Sequence, residues 1–383
     1  MDSREFETAF GVIKEREDLK WGNHLVFIPN KLPPEIRFNK QLALSISRSD
    51  AKLGKLSGVG LLLPNPNLLI MPYLKKEALM SSRIEGTRIS LSELLLSEAK
   101  GTDENIPDAF EVVNYVNAVR YGLDRVEKNP IDLELIKEMH KILMRGVRGK
   151  DKFPGEYRDV QNWIGPRNCI VQEATFVPPG PEDVNQLMSN LLSYLNSDDG
   201  MPLLIKCALM HYQFETIHPF CDGNGRIGRA LITLYLCKKK LMIRPLLYLS
   251  GFFEANKREY ASLLLKTNKE GNFDEWLDFF LEAITVQAED ALQRATKIQE
   301  LREEYRKITQ DKFQTSALAK LIDELFVNPY ITITNAERLL KVTYPTAKRL
   351  IEILTQLEIL KLASKQERNK VYIAHEILRI MEV

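Results

Sequence analysis

The stretch HPFCDGNGRIGR, from His218 to Arg229, brings together side chains that could transfer a phosphate-containing group. Glycines on either side of Asn224 would let a phosphate approach the backbone closely. Arg226 and Arg229 are three residues apart, so both would lie on one face of a helix, and two guanidinium groups suit a di- or triphosphate. His218 can take up a proton near neutral pH, and Asp222 supplies an oxygen ligand of the kind that Mg²⁺ prefers. The stretch therefore combines a base, a metal ligand and an anion site.

The glycine spacing of GNGRIG also fits a dinucleotide-binding loop, but its surroundings exclude that interpretation. A Rossmann loop must follow a β-strand, whereas the preceding PLLIKCALMHYQFETI carries apolar residues at helical spacing. The residues after Gly225 repeat that spacing, and the Gly-Lys-Ser/Thr of a P-loop does not follow. The glycines are therefore predicted to join two helices. Unpaired amides and the helix dipole at the start of the second helix would favour an anion there.

The same stretch resembles the signature of the Fic family, HPFx[DE]GNGRxxR, at every fixed position. The resemblance implies an all-α core that transfers AMP from ATP to a hydroxyl of a target protein, or of the chain itself, and releases pyrophosphate. It implies that His218 is the general base, that Asp222 holds Mg²⁺ and that Phe220 anchors the loop in the core. It further implies that Arg226 faces the β-phosphate and Arg229 the γ-phosphate. The ATP-binding residues that it implies are Gly223, Asn224, Gly225, Arg226, Ile227, Gly228 and Arg229.

A second resemblance lies upstream, in SSRIEG at 81–86. It fits the inhibitory pattern [ST]xxxE[GN] of the Fic family through Ser81, Glu85 and Gly86. Its place before the core resembles the class with an N-terminal inhibitory helix, in which the glutamate pairs with the second signature arginine, here Arg229, and displaces the γ-phosphate. The wider run LKKEALMSSRIEGT resembles the N-terminal region of many bacterial Fic proteins. Together the resemblance covers about residues 30–290.

Two further parts of the core are identified by resemblance. QNWIG and ATFVP are predicted to form two short strands around a loop, similar to the β-hairpin flap that aligns the target segment by strand addition. FFEANKREYASLL resembles the helix whose Asn and Tyr line the adenine pocket, which would be Asn256 and Tyr260. His211 lies seven residues before His218, which is not a metalloprotease spacing, and is predicted to be a packed or hydrogen-bonded histidine. His24, His140 and His375 are predicted to be structural.

The composition places few limits on the function. The 383-residue chain is 44% hydrophobic and carries a formal net charge of +1, so no overall field points to nucleic acid or membrane. Its four cysteines show no CxxC spacing, which argues against a zinc knuckle. The charged N-terminus and the lack of a run of about 18 apolar residues predict neither a secretory leader nor a membrane span. A reducing cytosol is the expected compartment.

The predicted fold is mainly α: a Fic-type helical bundle with a short β-hairpin flap, plus a small C-terminal winged helix-turn-helix domain. The predicted boundaries are 1–107 for an N-terminal region with the inhibitory helix, 108–290 for the catalytic core, 291–314 for a linker helix and 315–383 for the winged domain. The expected partners are a target protein with a Ser, Thr or Tyr hydroxyl, DNA through 315–383 and a second copy in a homodimer, but no membrane.

The C-terminal segment leaves two roles open. Between 341 and 370 the basic residues outnumber the acidic ones by a net +4. The basic residues are Lys341, Lys348, Arg349, Lys361, Lys365, Arg368 and Lys370. Thr343 would cap the recognition helix, with Pro345 in its first turn, which suits phosphate contacts. Winged helices also dock proteins or dimerise, so the alternative to an adenylyltransferase is a DNA-binding regulator whose Fic core senses a nucleotide.

Overall fold

The computed structural model describes residues 3–6, 10–62, 67–146, 153–166, 168–310, 313, 315–363 and 369–382, and helices dominate them, as predicted. The helices are α1 (Lys40–Leu62), α2 (Asn67–Ile84), α3 (Leu91–Lys100), α4 (Pro107–Lys128), α5 (Leu133–Leu143), α6 (Pro181–Asn196), α7 (Leu203–Ile217), α8 (Asn224–Lys238), α9 (Ser250–Ala255), α10 (Lys257–Glu270), α11 (Asp274–Gln310), α12 (Ser316–Val327), α13 (Ile333–Leu340), α14 (Tyr344–Gln356) and α15 (His375–Glu382). The strands are β1 (Gly11–Arg16), β2 (His24–Pro29), β3 (Tyr330–Thr332), β4 (Lys361–Leu362) and β5 (Val371–Ile373). Over these residues, no helix has the length and apolar character needed to cross a membrane.

The chain divides into two compact units, each made of three stretches. Unit 1 comprises Met1–Gly54, Asn114–Met242 and Leu249–Gln287. Unit 2 comprises Lys55–Val113, Ile243–Tyr248 and Ala288–Val383. The signature loop belongs to Unit 1, and the inhibitory pattern at 81–86 belongs to Unit 2.

Helix ends near the two motifs agree with the sequence pattern. α7 ends at Ile217 and α8 begins at Asn224, so the glycines join helix to helix, which confirms the rejection of a Rossmann loop. α2 ends at Ile84, one residue before the predicted end, and Gly86 follows with a φ of +106° that favours glycine.

Unit 1 begins with a β-hairpin that the sequence did not reveal. β1 and β2 pair antiparallel, with Gly11 opposite Pro29. The amide of Phe27 in β2 donates to the carbonyl of Val177 at 2.9 Å, and the buried Phe27 ring contacts that of Phe176 at 5.7 Å. The hairpin is therefore packed against the segment predicted to form the flap.

The flap contains less β-structure than the sequence pattern predicts. Within its described residues, Ile164 and Phe176 form a single antiparallel bridge, with N–H···O distances of 2.8 and 3.0 Å, instead of two short strands. Pro166 follows the first segment, and Pro178 is the last residue of the second. Proline has no N–H to donate, so the ladder cannot extend past these positions.

In Unit 2, residues 315–382 follow the element order of a winged helix-turn-helix. The order is helix, strand, two helices, two strands and a final helix, and the sheet order is β3-β5-β4 with both pairs antiparallel. The predicted hairpin in KLASKQERNKVYIA is confirmed as β4 and β5. Its tip, with Lys365 and Arg368, lies outside the described residues.

This winged segment packs on the helix that carries the inhibitory pattern. α12 and α15 contact α2, and β3 contacts α3. The hydroxyls of Ser92 and Tyr330 lie 2.6 Å apart, and Asn328 Nδ2 donates to the carbonyl of Leu95 at 2.9 Å. Arg294 Nη1 of α11 donates to the carbonyl of Ile380 in α15 at 2.8 Å. Unit 2 therefore joins α2, α3 and residues 315–382 through helix contacts and partly buried hydrogen bonds.

Candidate active site

His218 occupies the turn at which α7 ends. It has left-handed backbone angles, φ 50° and ψ 59°, and its amide donates to the carbonyl of Phe214 at 3.0 Å. Its Nδ1 lies 3.2 Å from the carbonyl oxygen of Glu215. Because a carbonyl only accepts, Nδ1 carries the hydrogen and Nε2 is the basic nitrogen. The half-buried His218 is thus in the tautomer that a general base needs.

The loop after His218 is closed by the side chain of Asn224. Its Oδ1 accepts from the amide of Phe220 at 2.8 Å, and its Nδ2 donates to the carbonyl of the same residue at 2.7 Å. Asn224 is 1% exposed and Phe220 is fully buried, as predicted for the loop anchor. The Asn224 side chain is thus committed to the loop, and its backbone amide is the group that it can offer to a phosphate.

Two glycines in the signature lie where a side chain would not fit. Gly223 has a φ of +77°, and a Cβ there would lie 3.2 Å from Met144 Sδ. A Cβ on Gly228 would collide with the Glu215 carboxylate and lie 3.0 Å from Phe214 Cδ1, so α7 and α8 approach closely at this point. Gly225 lies in the first turn of α8 and Ile227, 1% exposed, packs in the core. The first-turn amides of α8 are therefore the ones that can hold an anion.

The signature arginines are buried and one is paired with Asp222. Arg226 is 5% exposed and Arg229 is 2% exposed. Arg226 Nη2 lies 3.3 Å from Asp222 Oδ1, which also accepts from the amide of Gly223 at 2.6 Å. The half-exposed carboxylate retains Oδ2 for a cation. Mg²⁺ is often held by one carboxylate together with substrate phosphates, so Asp222 fits it. No group of three or more candidate metal ligands occurs in the described part of the chain.

Arg158 supports the His218 end of the loop, a contact that no local pattern in the sequence indicates. The side chain is 2% exposed. Its Nε donates to the carbonyl of His218 at 2.9 Å, and its Nη2 donates to that of Pro179 at 2.6 Å. Its amide donates to the carbonyl of Pro219 at 2.9 Å. Burial lowers the pKa of Arg158 to about 10, so it stays charged at neutral pH.

His140 of α5 supports the opposite side of the loop. Its Nε2 lies 3.0 Å from the carbonyl oxygen of Asp222, and its Nδ1 accepts from the amide of Gly155 at 2.9 Å. Its ring stacks on Phe220 with centroids 3.8 Å apart. Burial lowers the pKa of His140 to about 4, so it is neutral at physiological pH. The sequence places His140 82 residues before Asp222, where no local pattern could link the two.

A largely apolar cavity of about 420 Å³ lies beside the end of α7. Its lining includes Ile164 and Phe176 of the flap, Thr216 of α7, and Leu265 and Asn268 of α10. Asn268 Oδ1 accepts from the hydroxyls of Tyr212 at 2.6 Å and Thr216 at 3.1 Å. This leaves the Nδ2 amide as the donor that Asn268 can offer to the cavity.

Asn256 and Tyr260, the two residues predicted to line an adenine pocket, make other contacts. Asn256 occupies the N-cap position of α10, and its Nδ2 donates back to the carbonyl of Phe252 in α9 at 2.9 Å. The Tyr260 hydroxyl lies 2.7 Å from His211 Nε2, in a fully buried aromatic cluster. Neither Asn256 nor Tyr260 lines the 420 Å³ cavity. The prediction that His211 is a hydrogen-bonded packing histidine is confirmed.

The buried His211 makes the stability of the chain sensitive to acid. Burial, with the nearby charge of Arg229, lowers its pKa to about 3. The unfolded state takes up a proton near pH 6.5 and the folded state only near pH 3, so the free energy of unfolding falls as pH decreases between these values. Between pH 7 and pH 5, we expect the free energy of unfolding of His211→Gln to fall by about 2 kcal/mol less than that of the wild type.

Urea unfolding at both pH values measures this difference. His375→Gln, at an exposed position, is the matched control and should keep the pH dependence of the wild type. The assignment is wrong if His211→Gln and the wild type lose the same stability.

The inhibitory pattern at 81–86 has a fixed local structure within Unit 2. Ser81 is fully buried in α2, whereas Glu85 is exposed in the turn after it. The Glu85 amide donates to the carbonyl of Ser82 at 3.1 Å. Just beyond, the buried Thr87 hydroxyl donates to Glu111 of α4 at 3.0 Å. The turn that carries Glu85 is therefore anchored to α4 at its far end.

Comparison with protein families decides the relationship that the signature suggested. The Fic/DOC family model matches residues 130–236, and the Fic/DOC family N-terminal model matches residues 44–124. The chain belongs to the Fic/DOC family. The first match includes the whole signature loop and the flap, and the second includes SSRIEG.

Individual Fic relatives cover parts of the chain. A probable protein adenylyltransferase of Aquifex aeolicus is 30% identical over 174 residues, or 44% of this chain and 49% of the relative. The protein adenylyltransferase Fic of Drosophila grimshawi is 32% identical over 175 residues, or 43% of this chain and 34% of the relative. The chain thus spans half or less of these curated relatives.

Solved structures share the Fic fold with this chain. A Fic family protein from Desulfovibrio desulfuricans superposes with a TM-score of 0.57 at 19% identity, covering 90% of this chain and 98% of the other. Fic-1 from C. elegans gives a TM-score of 0.53 at 21% identity, covering 68% and 74%. At these identities the likeness concerns the fold alone.

Proposed function

We propose that this Fic chain transfers AMP from ATP to a hydroxyl side chain of a target protein. The observation that carries the proposal is the placement of a basic nitrogen, His218 Nε2, in the loop that leads into the N-terminus of α8. A base and an anion site in one short loop suit the attack of a hydroxyl on a phosphate. The relatives named protein adenylyltransferase support the same reaction.

In the proposed reaction, the amides of Asn224 and Gly225 and the two arginines hold the phosphates, while the amide of Gly223 holds Asp222 Oδ1. Arg226 would bind the β-phosphate and Arg229 the γ-phosphate. Asp222 would hold Mg²⁺, which neutralises phosphate charge when bound. His218 Nε2 removes the proton of the target hydroxyl as its oxygen bonds to the α-phosphorus, and the bond from that phosphorus to pyrophosphate breaks. Positioning and charge neutralisation are sufficient for such a transfer.

The cavity beside α7 is the place that we propose for the nucleotide base. Its 420 Å³ and apolar lining suit a flat ring system. Asn268 Nδ2 would donate to a ring nitrogen there, because two hydroxyls already occupy its oxygen. This assignment gives Asn268 the role that the sequence resemblance gave to Asn256, while Tyr260 would act only by packing against His211.

We also propose that Glu85, with Ser81 in the same pattern, inhibits the transfer. By the resemblance to the family, the Glu85 carboxylate competes with the γ-phosphate for Arg229. The support for this role is the match of Ser81, Glu85 and Gly86 to the family pattern, in a turn whose local structure is fixed by the hydrogen bonds after α2. Inhibition would displace the γ-phosphate and leave the α-phosphorus out of line with the hydroxyl.

Label transfer tests the proposed reaction directly. The purified chain is incubated with Mg²⁺ and ATP labelled at the α-phosphate, with ATP labelled at the γ-phosphate as the control, and with a cell extract as the source of targets. We expect protein-bound label only from the α-labelled nucleotide, and an AMP adduct by mass spectrometry. Label from the γ-phosphate alone, or none even with Glu85→Gly, would contradict the proposal.

A second candidate function rests on residues 315–383, for which we propose a winged helix-turn-helix domain that binds DNA. The supporting observation is that α14 exposes Tyr344, Thr346, Lys348 and Arg349, while α12 and α15 contact α2. Thr343 is the N-cap of α14, although its hydroxyl bonds to that of Thr346 at 2.9 Å and not to a backbone amide. In this second function the Fic core would sense a nucleotide for a DNA-binding regulator.

Reversing the charge on α14 tests DNA binding. We expect Lys348→Glu with Arg349→Glu to abolish a gel shift of duplex DNA at low salt, because lost phosphate contacts remove the favourable release of counterions. Each lost contact should lower the salt slope by about 0.9. Lys257→Glu with Arg258→Glu, an equally exposed pair on α10, is the matched control and should keep the shift. No shift by the wild type would favour protein docking instead.

A further inference from the structure

We propose that His140 is a positioning residue that orients the phosphate-binding side of the signature loop. It lies in α5, outside the signature, and touches the loop at two places. The inference rests on the proposed function in one respect, because it takes the N-terminus of α8 as the phosphate site.

The hydrogen bonds of His140 fix one tautomer. The amide of Gly155 donates to Nδ1, so that nitrogen carries a lone pair. Nε2 therefore carries the hydrogen and donates it to the carbonyl oxygen of Asp222 at 3.0 Å. His140 is fully buried, so water does not compete for either bond.

The bond to Asp222 determines how the next peptide group points. In a planar trans peptide the carbonyl and the N–H point to opposite sides. With the carbonyl held by His140, the amide of Gly223 is directed to the other side, where it donates to Asp222 Oδ1 at 2.6 Å. Arg226 lies 3.3 Å from the same oxygen. Through this peptide group, His140 thereby positions Asp222, the proposed metal ligand, against Arg226, the proposed β-phosphate ligand.

The ring of His140 also restricts the chain before Asp222. It stacks on Phe220 with centroids 3.8 Å apart and an interplanar angle of 7°. Its Nε2 lies 3.5 Å from where a Cβ on Gly223 would be, so the ring packs directly beneath the start of α8. His140 therefore contacts the loop at both ends of the stretch from Phe220 to Gly223.

Two conservative substitutions separate positioning from general stability. His140→Asn keeps an oxygen near the place of Nδ1 for the amide of Gly155 but is too short to reach Asp222. His140→Gln carries an amide N–H at about the reach of Nε2, so it can still donate to the Asp222 carbonyl, and it loses the acceptor for Gly155. Each variant keeps one of the two hydrogen bonds and both lose the ring.

The measurement is calorimetric binding of ATP and of adenosine to the full chain, with Mg²⁺ present. We expect His140→Asn to weaken ATP binding by about tenfold or more and adenosine binding by less than about twofold, because adenosine has no phosphates. His140→Gln should keep the ratio of the two affinities within about threefold of the wild type. Asn114→Leu is the control for burial, since Asn114 is 3% exposed and its Nδ2 donates to the carbonyls at the end of α5, Leu143 and Arg145. It should lower the melting temperature and leave the affinity ratio unchanged.

The outcomes distinguish this inference from the proposed reaction. If His140→Asn and His140→Gln weaken ATP and adenosine binding equally, or not at all, His140 does not position the loop, even when AMP transfer is demonstrated. If the expected difference is found but no AMP is transferred, the inference stands and the reaction is wrong. If the wild type binds neither ligand, both are wrong. Should His140→Asn not fold, an affinity ratio for His140→Gln outside the threefold range would overturn the inference.

Discussion

Replacing His218 with alanine is expected to lower the rate of AMP transfer by on the order of 10²–10⁴-fold, the usual contribution of a general base. Its Nε2 is the basic nitrogen, since Nδ1 donates to the carbonyl of Glu215. ATP binding should change little, because we assign the phosphates to the amides of α8 and to Arg226 and Arg229. The measurements are the initial rate of label transfer from α-labelled ATP and the dissociation constant for ATP.

Two controls make the result specific to the base. The carbonyl of His218 accepts from Arg158 Nε and does not depend on the side chain, so His218→Ala should keep the loop intact, which its melting temperature would verify. Imidazole added to the variant should restore part of the rate by supplying a base. A variant that is folded, binds ATP and transfers AMP at nearly the rate of the wild type would remove His218 from the mechanism.

Replacing Glu85 with glycine is expected to raise the rate of transfer by about tenfold or more. In our proposal, Glu85 and the γ-phosphate compete for Arg229, and removing the carboxylate lets the γ-phosphate occupy the guanidinium. For each ~1.4 kcal/mol by which Glu85 disfavours binding of the γ-phosphate to Arg229, its removal raises the fraction of productively bound ATP about tenfold. The measurement is the initial rate of label transfer from α-labelled ATP.

Two further variants identify the cause of this gain. Glu85→Gln removes the charge without adding the backbone freedom of glycine, so it should raise the rate as well. If only Glu85→Gly does so, flexibility after α2 and not charge is responsible. Arg229→Ala should erase the gain in Glu85→Gly, since the guanidinium is what the substitution releases. Equal rates for the wild type and Glu85→Gly would contradict inhibition by SSRIEG and leave the role of the signature intact.

The sequence was sufficient wherever neighbours in the chain decide the structure. The helix-to-helix connection at Gly223 and the end of α2 before Gly86 follow from local periodicity and from glycine conformations. The burial of Phe220 also agreed with the signature. These features depend on residues within a few positions of one another.

The sequence was insufficient where partners are far apart in the chain. His140 meets Asp222 across 82 residues, and Asn268 meets Tyr212 across 56, so no spacing rule could have linked them. The β1–β2 hairpin was missed because residues 1–40 show no clear periodic pattern, and its strands are completed by contact with Val177. The resemblance of the sequence around Asn256 to the family helix predicts an adenine contact there, whereas the cavity that we propose for the base is lined by Asn268, three turns further along α10.

The alternation of the two units along the chain has a consequence for synthesis and engineering. Unit 1 needs Leu249–Gln287, yet Lys55–Val113 of Unit 2 is made long before that stretch, and Unit 2 is complete only with Ala288–Val383. Neither unit can finish folding on the ribosome before the other has begun, in contrast to domains that fold one after another from the N-terminus. Newly made chains would therefore expose unfinished apolar surfaces until Ala288–Val383 has been made, which makes chaperone dependence and low yields from genes cut before this stretch the expected behaviour. No single cut in the gene separates the units, and a fragment limited to residues 130–236 would lack the helix that carries Asn268.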